Sequence, residues 1–207
     1  MRVTVFYNDL PSNFQLPGDI AIDTETMGLD LNRDRLCLLQ ISNGDGEAYL
    51  VQFPKDNYDA PNLKNLLLDK NREKIFHFAR FDLAVIKKYL EIELSNVFCT
   101  KIASILVRTY TEHHGLKDLC KELLGINISK QQQSSYWGTL QLSEEQKEYA
   151  AKDVIYLHSL KEILTSMLIA ENRNDIAYKL FDFLPTRANL DLMGWNEIDI
   201  FSHSITK

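Results

Sequence analysis

The order in which hydrophobic periodicities follow one another constrains the fold of this chain more than any other feature. Strand-like runs dominate the first part, and helical spacing dominates from residue 99 onward. Pro17-Gly18 punctuates the start of a first strand predicted over residues 19–25. Apolar residues alternate in Leu36-Cys37-Leu38-Leu39-Gln40-Ile41 and again in Ala48-Tyr49-Leu50-Val51. Between them Asn43-Gly44-Asp45-Gly46 is rich in residues that tolerate positive φ, so the segment reads as a hairpin. A buried strand is predicted over residues 74–78 and helices over 81–90, 102–110 and 116–124, the last stopped by Gly125. Ser143-Glu144-Glu145-Gln146 looks like a capping box opening a helix through Lys152 or beyond; helical spacing continues over 154–171, then over 176–184 up to Pro185. Strands first, helices after, with helices interleaved around residues 80–110, indicate an α/β or α+β domain with a mixed β-sheet flanked by helices.

The length, 207 residues, fits one domain with a sizeable core. The tail after Pro185, residues 185–207, keeps Leu190, Leu192, Met193, Trp195, Ile198, Ile200 and Phe201, and is expected to pack on the body or on a neighbouring subunit. No apolar stretch is long enough to span a bilayer, and the N-terminus lacks a signal core, so a soluble, cytoplasmic protein without membrane contact is expected. Cys37, Cys99 and Cys120 are odd in number and far apart, which excludes a disulfide framework and a CxxC zinc pair. The net charge of −6 is unusual for a protein that grips long nucleic acid through its backbone. If the substrate is a nucleic acid, its contacts should be few and local, and metal ions should supply much of the charge that meets phosphate.

The chemistry-bearing candidates are carboxylates. Asp23 and Glu25 alternate on a strand and so share a face. Two such charges repel and raise each other's pKa, a cost that a divalent cation removes. Alone, the pair could equally be a strand end reaching solvent. Asp82 follows a short apolar strand and opens a helix, where a carboxylate gains from the helix dipole or acts as a cap. Tyr149 and Asp153 are one helical turn apart, flanking Ala150 and Ala151, so a phenol and a carboxylate share a helix face; a core tyrosine beside a solvated aspartate gives the same text.

Taken together, a strand DxE, a carboxylate at a strand-to-helix junction and a helical YxxxD, in this order, resemble the DEDD exonucleases of ribonuclease H-like fold. The tyrosine places the resemblance in the ribonuclease D-like, DEDDy branch. Residues 23–29 and 33–42 are similar to that family's first motif and following strand, and His114 to Leu119 and Lys130 to Trp137 to its later helical part. Two departures occur: Ser135-Tyr136-Trp137 where the family often has Ser-Asp-Trp, and Phe78 where an asparagine often stands four residues before the second aspartate. The tail Phe183-Leu184-Pro185-Thr186-Arg187-Ala188, with Leu190-Asp191-Leu192 and Gly194-Trp195, resembles the nano-RNase C group of this branch.

The resemblance implies a 3′→5′ exoribonuclease acting on short RNA, dinucleotides included, to give 5′-mononucleotides. It implies two divalent cations, Mg²⁺ or Mn²⁺, and a ring-shaped homo-octamer. Asp23 would bridge both ions, Glu25 and Asp153 would hold the one carrying the attacking water, Asp82 the other, and Tyr149 would orient that water. Candidate substrate contacts are Thr24, Met27, Leu29, His77, Arg108 and Lys130, with Leu29 as a wedge against terminal bases or as a core leucine. Arg33, Arg35, Lys117, His113 and His114 are further candidates for phosphate, and Tyr110, Tyr136 and Trp137 for base stacking. The alternatives are a ribonuclease D-like enzyme trimming structured RNA, a DNA exonuclease, and a non-catalytic nucleic-acid-binding scaffold.

Overall fold

A computed structural model describes residues 1–54, 57–128, 132 and 135–203. Strands β1 (Arg2–Tyr7), β2 (Ile20–Thr26), β3 (Leu36–Ser42), β4 (Glu47–Gln52), β5 (Lys74–Phe76) and β6 (Val97–Cys99) form one sheet in the order β1-β4-β3-β2-β5-β6. The β2–β3 and β3–β4 pairs are antiparallel; β1–β4, β2–β5 and β5–β6 are parallel. The predicted hairpin is β3–β4, and its turn needs both glycines: Gly44 and Gly46 lie at φ of 83° and 88°. A Cβ on Gly44 would also sit 2.7 Å from the His158 ring.

Helices follow as α1 (Pro61–Leu68), α2 (Ala79–Leu90), α3 (Thr100–Val107), α4 (Leu116–Leu124), α5 (Glu144–Ile155), α6 (Leu157–Ala170) and α7 (Asn174–Leu190), with a π-helical turn at Asp191–Trp195. Along β3 and β4, Leu39, Ile41 and Val51 join the main core, whereas Leu38 and Leu50 join a second cluster with Trp137, Leu142 and Ala150. Alternation thus buries both faces of the central strands. Helix α5 packs on β2, β3 and β4, α2 and α7 pack on each other and on β6, and α6 packs on α3 and β5. The mixed sheet flanked by helices is the expected fold class.

Several elements depart from the sequence reading. β1, α1 and β6 were not anticipated; β1 is an edge strand and β6 has three residues, too short for a periodicity to register. β5 stops at Phe76 because Phe78 turns into the left-handed region before α2. The capping box at Ser143 and Gln146 forms as expected, but helical spacing after it is split between α5 and α6 at Tyr156. Pro185 does not end the last helix: α7 runs through it to Leu190. The proline removes one N–H, but Phe181, Leu184 and Ala188 around it are buried, and packing carries the helix across. Beyond α7 the chain is tied to the body by Asp191, 5% exposed, which accepts both Arg80 (Nη2 at 2.7 Å) and Arg187 (3.2 Å). Arg80 also donates to the Asn196 carbonyl at 2.7 Å.

Candidate active site

β2 carries Asp23 and Glu25 on one face toward its C-terminal end, past Ala21, where its pairing with parallel β5 stops. α5 crosses that end of the sheet and brings Asp153 down onto the pair. One carboxylate oxygen from each of Asp23, Glu25 and Asp153 lies within 4.8 Å of the others. Asp82, in the first turn of α2 and 3% exposed, lines the same cleft. Its Oδ1 accepts a hydrogen bond from Thr24 Oγ1 at 2.6 Å. Thr24 is therefore a buried support for Asp82, its hydroxyl already committed. Asp23 Oδ2 accepts from Gln40 Nε2 at 2.5 Å. Gln40 sits directly opposite Asp23 in the antiparallel ladder and is fully buried.

Such crowding has an electrostatic consequence. Burial, then the neighbouring carboxylates, hold Asp23 and Glu25 well above the usual carboxylate range. Burial also pushes Asp82 and Asp153 up to about 7, against hydrogen bonds from Thr24 and Tyr149 that act in the opposite direction. A protein that gathers four carboxylates with no cation among them stores repulsion. The donor set consists of carboxylate oxygens, which fits hard divalent ions of the Mg²⁺ and Mn²⁺ kind. The Tyr149 phenol is pushed far up by burial, then by Asp153, Glu25 and Asp23, so it stays protonated. Its ring lies 6.1 Å from that of Trp137, which is 2% exposed.

The cleft has a volume of about 570 Å³. Besides the acids and Tyr149, its lining includes Leu29, His77, Phe78, Phe81, Lys101, Gly115, Leu116 and Lys117. Leu29 is 83% exposed, which removes the core-leucine alternative. His77 Nδ1 meets Thr100 Oγ1 at 2.9 Å; that hydroxyl also bonds the Phe76 carbonyl at 3.1 Å, so Nδ1 carries the proton. Met27 lies outside this lining, with its sulfur against Gly138, where a Cβ would approach it to 2.5 Å.

Arg108 is a correction. It is fully buried, pairs with Glu122, and donates to Ser104 Oγ at 2.9 Å and the His113 carbonyl at 2.7 Å. A guanidinium so enclosed ties the segment before α4 to α3 instead of meeting phosphate. Lys130 lies outside the described residues. Lys117 lines the cleft, whereas Arg33 pairs with Asp34 at 2.7 Å and Arg35 donates to the Phe53 carbonyl at 2.7 Å. His114 bonds Ser104 at 2.9 Å, the His113 carbonyl serves Arg108, and exposed Tyr110 donates to Glu122. Tyr136 is exposed, while Trp137 is buried against Tyr149 and not free to stack on a base. Sequence reasoning missed Gln40, Phe78 and Lys101. The one signal for Gln40 was a polar residue in the otherwise apolar run 36–41.

A mixed sheet with four converging carboxylates and a protonated phenol at its cleft defines a metal-dependent nuclease of the ribonuclease H-like class. The chain belongs to the family described as 3′–5′ exonuclease, which matches residues 7–169. It is 32% identical over 156 residues to ribonuclease D of Gluconacetobacter diazotrophicus, covering 75% of this chain and 39% of that protein. It is 37% identical over 149 residues to DNA polymerase I of Aquifex aeolicus, covering 72% of this chain and 24% of the polymerase. The chain thus spans well under half the length of these two relatives. A structure of Brucella melitensis NrnC bound to pGG superposes with a TM-score of 0.94 at 53% identity, covering 99% of this chain and 100% of that one. No helix among the described residues is long and apolar enough to cross a membrane.

Proposed function

We propose that this exonuclease hydrolyses short oligoribonucleotides, dinucleotides included, from the 3′ end and releases 5′-mononucleotides. The observation that carries the reading is the near-complete match to Brucella melitensis NrnC bound to pGG. The net charge of −6 and a cleft of about 570 Å³ agree with a substrate held locally.

Asp23, Glu25, Asp82 and Asp153 would hold two divalent cations; another structure of Brucella melitensis NrnC has Mg²⁺ bound. Bound there, the cations supply a Lewis acid at the scissile phosphate and acidify the attacking water. The chain's own residues do the rest. Gln40 fixes the rotamer of Asp23, and Thr24 that of Asp82. Tyr149, kept protonated, orients a water by hydrogen bonding and does not act as its base. Leu29, exposed at the cleft rim, would separate bases, and His77 and Lys117, which line the cleft, would meet phosphate. The same reading takes residues 1–207 as one exonuclease domain working in the cytoplasm as a homo-oligomeric ring. Leu140, Ile169, Met193 and Phe201 are large apolar side chains left exposed on one chain, which agrees with an oligomer.

The test compares turnover of a 5′-phosphorylated RNA dinucleotide with that of a 20-mer, each in Mg²⁺ and in Mn²⁺. Preference for the 20-mer would favour a ribonuclease D-like role, and equal turnover of the DNA dinucleotide would favour the DNA reading that the polymerase relative brings. Absence of hydrolysis with either metal would leave the scaffold reading.

A further inference from the structure

Phe78 breaks two local rules at once. It lies in the left-handed region, φ 70° and ψ 45°. Three of the other four non-glycine residues with positive φ are asparagines, Asn8, Asn96 and Asn172. Asparagine tolerates this conformation because its short polar chain can bond locally, and a bulky aromatic gains nothing comparable. Phe78 is also the N-cap of α2, and its side chain caps no N–H there. An asparagine at this position would satisfy the first demand.

Burial only partly repays the phenylalanine, because the residue stays 45% exposed. Its surface lines the carboxylate cleft, beside Leu29 and Phe81, and also a neighbouring cleft of about 780 Å³ that Arg80 and Asp191 share. Lys101, lining the same cleft from α3, places its ammonium 4.4 Å from the ring centroid. A cation over the π-face keeps the ring in place without covering it with apolar packing. Strain kept at a cleft, with only partial burial in return, points to a functional position.

We propose that Phe78 is a stacking platform for one nucleobase of the substrate, anchored by Lys101; the inference rests on the RNA reading above. The flat ring beside exposed Leu29 offers a base a hydrophobic face near the metal-holding carboxylates.

The test uses Phe78→Asn and Phe78→Trp, with a 5′-phosphorylated GG dinucleotide and two analogues, each abasic at one position. Phe78→Asn is expected to melt close to wild type, since asparagine tolerates the left-handed backbone. Its KM for the dinucleotide should rise about ten-fold with kcat nearly unchanged, within the range that base–aromatic stacking contributes. Removing one of the two bases should raise KM for wild type and not further for Phe78→Asn, while Phe78→Trp keeps wild-type KM. Unchanged KM in Phe78→Asn, or base and ring effects that multiply independently at both positions, would overturn the platform. Failure of the wild type to cleave the dinucleotide would overturn the substrate reading itself, a separate outcome.

Discussion

Gln40 lies directly across the β2–β3 ladder from Asp23 and donates its amide to Asp23 Oδ2 at 2.5 Å. The glutamine is fully buried, and its own Oε1 has no hydrogen-bond partner among the described residues. A buried amide left half-satisfied is costly, so the bond to Asp23 is what this side chain is placed to make. Gln40→Leu should remove it while keeping the strand apolar. Supports of metal-ligating groups typically contribute 10–100-fold to metal affinity or activity. The Mg²⁺ concentration for half-maximal rate should therefore rise about ten-fold or more. A magnesium titration of rate, paired with Mn²⁺ binding by calorimetry, checks this.

Asp153→Asn removes one of the crowded charges and one oxygen ligand. Metal ions in such sites contribute several kcal/mol to transition-state stabilisation, so the rate should fall about 10³-fold or more. The fold should not suffer: in EDTA the variant should melt at or above the wild type, because repulsion inside the cleft is relieved. Full activity of this variant in Mg²⁺ would refute the assignment of the ligands.

Metal and pH should be linked through stability. In the native state Asp82 and Asp153 titrate near 7, whereas unfolded aspartates titrate near about 4. Between those values the native protein binds more protons than the unfolded chain, so stability falls as pH rises. In EDTA the melting temperature should drop from pH 5 to pH 8. Saturating Mg²⁺ should flatten that slope, since the cation replaces the protons. Thermal melts at several pH values with and without metal test both signs.

Tyr149→Phe keeps the ring beside Trp137 and deletes only the phenol oxygen. If the phenol orients water, kcat should fall about 10²-fold, the lower end for a positioned proton-handling group, with KM little changed. Steady-state kinetics on the dinucleotide separate the two constants.

Arg108 should matter for folding and not for phosphate binding. Arg108→Met leaves the His113 carbonyl and Ser104 without their donor. A buried carbonyl left unsatisfied costs about 1–3 kcal/mol; Glu122, half open to water, adds little. Urea denaturation measures it, and the salt dependence of KM should match that of wild type.

How much of this was readable from the chain differs by element. The hairpin, α4 and the capping box of α5 are local structures, written in residues a few positions apart, and they formed as read. β1 and β6 depend on partners far along the chain, and no local period marks them. Pro185 misled because packing by Phe181 and Leu184 outweighs the lost hydrogen bond. In the site, Asp23, Glu25, Asp82, Tyr149 and Asp153 stood out because their spacing encodes chemistry.

What the amino-acid order determined by itself was the set of carboxylates and the faces they occupy, since strand and helix periods place side chains by counting. What only the tertiary structure decided was which polar groups reach them. Gln40 and Thr24 support the acids. Arg108 turns inward to Glu122, and Phe78 with Lys101 faces the cleft. Those choices follow from strand register, burial and chain reversal, which bring together residues that no sequence spacing relates.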